Sequence, residues 1–182
     1  LESRKGKAPG GYQSTYSERR VPFIFMNAAG LDSDVRTLLH EGGHAFHALA
    51  ARDLGLMPYR HAPMEFCEVA SMSMELLALP FLDVFYKDPD ELQRARLNRL
   101  EETVTLLPWI ATIDAFQHWV YLHPTDTRDE RRAAWIETLD RFATIIDWSG
   151  YEETRAHQWH RQLHLFEVPF YYIEYGIAQL GA

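Results

Sequence analysis

The sequence predicts a mostly α chain with one short β element near its N-terminus. Apolar residues recur at helical spacing over most of the 182 residues, and a single short apolar run, Val21 to Met26, precedes them. The composition, 47% hydrophobic and 24% charged, fits one ordinary globular unit with a core.

Taken in order, residues 1–16 are polar and glycine-rich around Pro9 and are expected to form a loop. Lys5-Gly6-Lys7 invites a phosphate-loop reading, but the G-x-x-x-x-G-K-S/T spacing is absent. Val21 to Met26 reads as a strand, after which Asn27 to Gly30 turns the chain. Asp32 or Ser33 is suited to cap a helix running to about Leu54, before Gly55. A second helix is expected from Pro63 to Leu79, since proline fits a first turn. A long helix should cover Asp88 to Tyr121, starting at Asp88-Pro89-Asp90 and kinked at Pro108. Three more are expected over Thr125 to Ile146, over Glu152 to Leu163, and from Pro169 to the end. The chain has no tandem repeat.

The net charge of −8 argues against nucleic acid or an anionic membrane surface as a partner. No apolar run approaches the roughly 20 residues that span a bilayer. Cys67 is the single cysteine, which excludes an internal disulfide and favours a reducing compartment, the cytoplasm. The sequence begins at Leu1 without a methionine and stops at Gly181-Ala182, just after an apolar helical pattern. A fragment of a longer protein is therefore expected.

The pattern richest in chemistry is His40-Glu41-Gly42-Gly43-His44. Helical residues advance about 100° each, so positions i and i+4 share a face. Two imidazoles can then hold one metal, while Glu41 beside them can take a proton from metal-bound water. A surface helix in a chain with nine histidines would give the same spacing by chance. Two adjacent glycines inside a helix cost about 1 kcal/mol each relative to alanine. A close backbone neighbour, a substrate or a tight helix crossing would account for them.

A catalytic zinc needs a third protein ligand and one open position. Glu65, Glu68 and Glu75 lie on one face of the following helix, among apolar neighbours Phe66, Val69, Met72 and Met74. Three solvated glutamates on an amphipathic helix are the plain alternative. A buried carboxylate in that setting needs a partner, and a metal is the strongest candidate. Glu68 is placed to reach the metal from an antiparallel helix, and Glu75 to accept a proton from a ligand imidazole. His47, on the same side, fits a supporting role better than a fourth ligand. Glu41-x-x-His44 also matches half of a di-iron site, but a second Glu-x-x-His is missing. His157, His160 and His164 fall at i, i+3 and i+7, without an acidic residue spaced among them as Glu41 is.

With the glycine loop, this helix, Glu68 and a tyrosine-rich end, the chain resembles the oligoendopeptidase F and thimet oligopeptidase family of zinc metallopeptidases. The resemblance extends from Gly6-Lys7-Ala8-Pro9-Gly10-Gly11-Tyr12 to Tyr175-Gly176. It includes HEGGHAFH at His40 to His47 and E-x-x-S-x-x-x-E from Glu68 to Glu75. The segment His164-Leu165-Phe166-Glu167-Val168-Pro169-Phe170-Tyr171-Tyr172-Ile173-Glu174-Tyr175 is similar to the oligoendopeptidase F branch.

The resemblance implies a zincin-like catalytic helical core with one zinc per chain, held by His40, His44 and Glu68. It makes Glu41 the general base and His164 and the tyrosines transition-state stabilisers. Tyr172 is expected to be the main donor, with Tyr171 and Tyr175 shaping the site. Gly10, Gly11 and Tyr12 are expected to close over the substrate, and the Val21 to Met26 strand to pair with an extended peptide. The implied substrates are short peptides entering a deep channel, with residues 1–182 as the catalytic part of a larger helical body. Two other classes compete. One is a peptide-binding module without turnover. The other is a metal-dependent oxidoreductase on a helical bundle.

Overall fold

The computed structural model of the chain describes residues 1–8, 10–142 and 146–182, without the side chains of Met64 and Glu65. Pro9 of the expected loop, residues 143–145 of the expected fourth helix, and the face assigned to Glu65 lie outside the described residues. The mostly α expectation holds. Strands β1 (Tyr12–Tyr16) and β2 (Val21–Phe25) are followed by helices α1 (Asp32–Ala51), α2 (Met64–Leu77), α3 (Pro89–Leu122), α4 (Arg128–Phe142), α5 (Glu152–Ala156), α6 (His164–Glu167) and α7 (Ile173–Gly181). Short 3-10 turns cover Met57–Arg60, Leu79–Val84 and Gln158–Arg161. Where composition suggested one unit, the chain forms two: Leu1–Arg99 with Ile177–Ala182, and Leu100–Gly176.

In the first unit, β1 is a correction to the expected loop. Its residues pair antiparallel with β2, Tyr12 opposite Phe25 and Tyr16 opposite Val21. Tyr12 stacks on Phe25 at 5.0 Å and Tyr16 lies 5.0 Å from Phe23, so cross-strand aromatic pairs stabilise a strand of little apolar content. The preceding segment is pinned rather than free. Lys7 Nζ donates to the carbonyls of Met26 and Glu2, and Asn27 Nδ2 to those of Ala8 and Gly10. Lys7 is thus engaged with backbone, consistent with rejecting a phosphate loop.

Helix α1 starts at Asp32 as expected, but neither Asp32 nor Ser33 caps it. Asp34 reaches back, its Oδ2 accepting the N–H groups of Ala29, Gly30 and Leu31 at 2.7, 2.7 and 2.8 Å. Asp32 instead accepts the hydroxyl of Tyr86. The helix ends at Ala51 rather than Leu54. Helix α2 begins just after Pro63, and its buried residues Glu68, Ser71, Met72 and Glu75 recur at helical spacing. Asp88 Oδ1 caps α3, accepting the N–H groups of Asp90 and Glu91. That helix runs on through Pro108 to Leu122.

In the second unit, Ile113, Phe116, Trp135 and Leu139 form the core, flanked by Trp109, Trp159, Leu165 and Tyr172. Helix α4 starts at Arg128 rather than Thr125 because Thr127 and Glu130 form a capping box. Thr127 N–H donates to Glu130 Oε2 at 2.8 Å, and Glu130 N–H to Thr127 Oγ1 at 3.3 Å. The expected helix from Glu152 to Leu163 is broken after Ala156. The His157 ring donates to the Glu153 carbonyl at 2.7 Å, taking the acceptor that a continuing helix would give to the His157 N–H. His157, His160 and His164 therefore do not share one helical face. Helix α7 begins at Ile173, not Pro169. Phe170 sits at φ 60°, outside helical space, with its N–H held by Gln117 Oε1 at 2.9 Å. Among the described residues, no helix is long and apolar enough to cross a membrane.

Candidate metal centre

Helix α1 packs on α2 because Gly43 has no side chain. A Cβ there would stand 2.6 Å from both Ala70 O and Ser71 Cα, backbone atoms of α2. Gly42 has nothing within 4 Å of its Cβ position. The two glycines thus have different reasons: Gly43 admits a helix, and Gly42 leaves the neighbouring space open.

The close approach brings three donors together. Glu68 Oε2 lies 3.2 Å from His40 Nε2 and 3.5 Å from His44 Nε2. Among the described residues, this is the set of three histidine, cysteine or acidic ligand atoms that converge on one point, all within 4.8 Å of one another. Ligands 2.0–2.2 Å from a tetrahedral zinc are separated by about 3.3–3.6 Å, so the residues present fit that ion.

Glu68 and Glu75 are each 6% exposed, and both are held in place. The Ser71 hydroxyl lies 3.0 Å from Glu68 Oε2 and 3.0 Å from the Glu68 carbonyl. Glu75 Oε1 accepts the Nδ1–H of His40 at 2.7 Å, so Nε2 is the ring nitrogen turned toward Glu68. Glu75 Oε2 pairs with Arg99 Nη2 at 2.5 Å. Burial alone would lower the pKa of His40, but the carboxylates of Glu68 and Glu75 outweigh it and raise it to about 9.

Glu41 is also buried, at 6% exposure. Burial pushes its carboxyl above the ordinary range, against the opposing pull of His40 and His44, and it accepts the backbone N–H of Gln13. A Cβ on Gly11 would lie 2.9 Å from Thr37 Cγ2 and 3.7 Å from Glu41 Oε1. The hairpin entry therefore runs beside Glu41. Gly10 is exposed, and Tyr12 is 48% exposed on the outer side of β1. His47 stands apart from the three converging donors and lines a cleft that His44 also borders.

In the second unit, His164, Tyr171, Tyr172 and Tyr175 form a ring cluster. His164 lies 4.9 Å from Tyr172, 5.6 Å from Tyr175 and 6.2 Å from Tyr171. Tyr171 and Tyr172 precede α7, so the cluster does not depend on a shared helical face. Gln162 Nε2 donates to His164 Nδ1 at 2.8 Å, and His164 Nε2 faces the Tyr175 hydroxyl at 3.3 Å. Burial raises the pKa of the Tyr172 hydroxyl, against the opposing effect of its bonds with Trp109 and Gln162.

Two supporting groups escaped sequence reasoning, Arg99 and the Gln13 backbone, whereas Ser71 stood in the E-x-x-S-x-x-x-E run without a role assigned to it. Arg99 is on another helix, with no spacing relation to Glu75.

No curated protein matches the chain. Solved structures do. PZ peptidase A with an inhibitor is 35% identical, with a TM-score of 0.92, 99% of this chain covered and 32% of that one. A chain provisionally named oligoendopeptidase F is 34% identical, TM-score 0.92, with 98% and 32% covered. Another so named, from Bacillus anthracis str. Ames, is 31% identical, TM-score 0.80, with 98% and 28% covered. The chain thus spans about a third of the length of the solved chains it matches. The model of peptidase family M3 matches residues 1–182, and the chain belongs to that family.

Proposed function

We infer that this chain is the catalytic part of a zinc-dependent endopeptidase that hydrolyses short oligopeptides. The observation that carries this reading is the convergence of His40, His44 and Glu68, with Glu68 Oε2 at 3.2 and 3.5 Å from the two Nε2 atoms, near a tetrahedral edge, and all three ligand atoms within 4.8 Å of one another. Those three residues would hold the zinc, one per chain. When bound, zinc polarises the scissile carbonyl and lowers the pKa of water to about 7.

The chain's own residues supply the rest. Glu41 takes a proton from the attacking water and delivers it to the departing amine nitrogen; its buried carboxylate, raised in pKa, suits both transfers. Glu75 fixes the His40 tautomer, and Arg99 keeps Glu75 oriented. Gly10, Gly11 and Tyr12 contact the substrate, and the Gly11 backbone leaves room beside Glu41. His164 and the tyrosines act as donors to negative charge developing on the carbonyl oxygen. Tyr172 retains that assignment from the resemblance, although its hydroxyl bonds with Trp109 and Gln162, whereas Tyr175 shares its own with His164. The single cysteine and the net charge of −8 support work in the cytoplasm on peptides, with neither nucleic acid nor membrane as partner.

The test is cleavage of internally quenched peptides by the zinc-loaded protein, compared with Glu41→Gln. Loss of at least 1,000-fold in kcat with zinc still bound is expected, about the scale of a general base. Undiminished cleavage by Glu41→Gln would overturn the assignment.

A further inference from the structure

Beside the candidate metal centre, the first unit holds a cleft of about 470 Å³, a size suited to part of a ligand. His44 forms part of its wall, so the cleft opens onto one of the three converging donors. Its other walls come from β1, the C-terminal end of α1 and the segment leading into α2. Its charge is opposite to that of the chain. Arg20, Arg52 and Arg60 line it together with His47 and His61, and no Asp or Glu lines it among the described residues. In a chain with 26 acidic against 18 basic residues, such a cleft is a local reversal of sign.

Two of the three arginines are held where they are. Arg20 Nη1 donates to the Arg52 carbonyl at 2.8 Å, and Arg60 donates through Nε to Leu54 O at 2.9 Å and through Nη2 to Gly55 O at 3.2 Å. These bonds tie both guanidinium groups to the carbonyl end of α1 and its exit. Each group carries five N–H donors, so further donors remain for a ligand. Arg52 is exposed, its Nε 3.8 Å from Asp53 Oδ1. The fixed forks of Arg20 and Arg60 match the geometry of a carboxylate.

We propose that this arginine-lined cleft is a specificity subsite that receives a carboxylate of the peptide substrate, near the bond being cleaved. The proposal rests on the peptidase reading and adds to it a substrate class: peptides with an Asp or Glu side chain, or a free C-terminal carboxylate, within reach of His44. Those two sources share one chemistry and are separable by synthesis.

The experiment uses the zinc-loaded protein and sets of four quenched peptides of one length, one set for each position scanned across the scissile bond. The four carry Gln or Glu at that position, each with a free or an amidated C-terminus. Expected is a roughly tenfold higher kcat/KM for a carboxylate-bearing peptide over its neutral match, the scale of one charge-assisted bond pair. The ratio should shrink in 0.5 M salt, where exposed charges are screened within a few ångström. A preference for Glu at one position identifies a side-chain subsite; a preference for the free terminus identifies a terminal-carboxylate site. Arg52→Glu should bring the ratio to one or below, and Arg60→Met should lower it in the same direction. Equal kcat/KM within the four peptides at every position, or a preference untouched by Arg52→Glu, would overturn this proposal and leave the peptidase reading standing. Cleavage of none of them would overturn both.

Discussion

Adjacent glycines on α1 allow a test in which neighbouring, chemically identical changes should act in opposite directions. Gly42→Ala adds a methyl group into open space, so its effect is the helix-propensity gain of about 1 kcal/mol. For a chain of this length that corresponds to a Tm roughly 2–4 °C higher. Gly43→Ala places the same methyl 2.6 Å from two backbone atoms of α2, where a relaxed contact needs about 3.5 Å. The helices must separate by about 1 Å, because backbone cannot rotate aside. Overpacking costs typically about 1–3 kcal/mol, and the propensity gain offsets about 1 of it. The expected net loss is about 1 kcal/mol, or a Tm roughly 2–4 °C lower. The larger effect concerns the metal. A shift of about 1 Å in α2 carries Glu68 away from His40 and His44, against a ligand tolerance of about 0.2 Å. Zinc affinity should fall at least 100-fold, while Gly42→Ala retains it. Thermal unfolding with chelator present gives the first quantity, and competition against a chelator of known affinity gives the second. A Gly43→Ala protein matching wild type in both would refute the close-approach argument.

Removing the carboxylate that orients His40, by Glu75→Gln, should weaken zinc binding about 10- to 100-fold without abolishing it, read by the same competition. Glu41→Gln should bind zinc as tightly as wild type while losing hydrolysis; without metal it should also unfold at a higher temperature, because a buried carboxylate is gone. Asp34 makes a pH prediction. Its three backbone N–H bonds hold its pKa below the ordinary 3.8, so it contributes stability above that value which is lost as pH falls through the depressed pKa. Asp34→Ala should therefore lower Tm at pH 7, and the difference from wild type should shrink as the pH falls below 3.8 and through the depressed pKa, followed by circular dichroism. Among the tyrosines, Tyr175→Phe and Tyr172→Phe separate an oxyanion donor from a packed ring. The donor's loss should lower kcat about 100- to 1,000-fold with little change in KM.

Much of the first unit was legible because local geometry decides it. The i, i+4 spacing places His40 and His44 on one face whatever the rest of the chain does, and an apolar helix after it turns Glu68 and Glu75 inward together. The reason for Gly43 was legible only as a choice between possibilities, since naming Ala70 and Ser71 as its neighbours needs the packed pair. What was missed depends on partners distant in sequence. Tyr12–Tyr16 has too few apolar residues to signal a strand alone and becomes one through Phe23 and Phe25. Arg99 meets Glu75 from another helix, so no spacing rule connects them. The break after Ala156 comes from one imidazole competing for a backbone carbonyl, a contest that periodicity does not register. The late start of α7 follows from the left-handed backbone at Phe170, a residue whose side chain gives no warning of it.

The most direct measurement is the metal content of the purified, zinc-reloaded protein by elemental analysis, wild type beside Glu68→Ala. One zinc per chain in the wild type, and none retained by Glu68→Ala after dialysis, is the predicted result. One zinc per chain kept by Glu68→Ala, or iron in place of zinc in the wild type, would contradict the account.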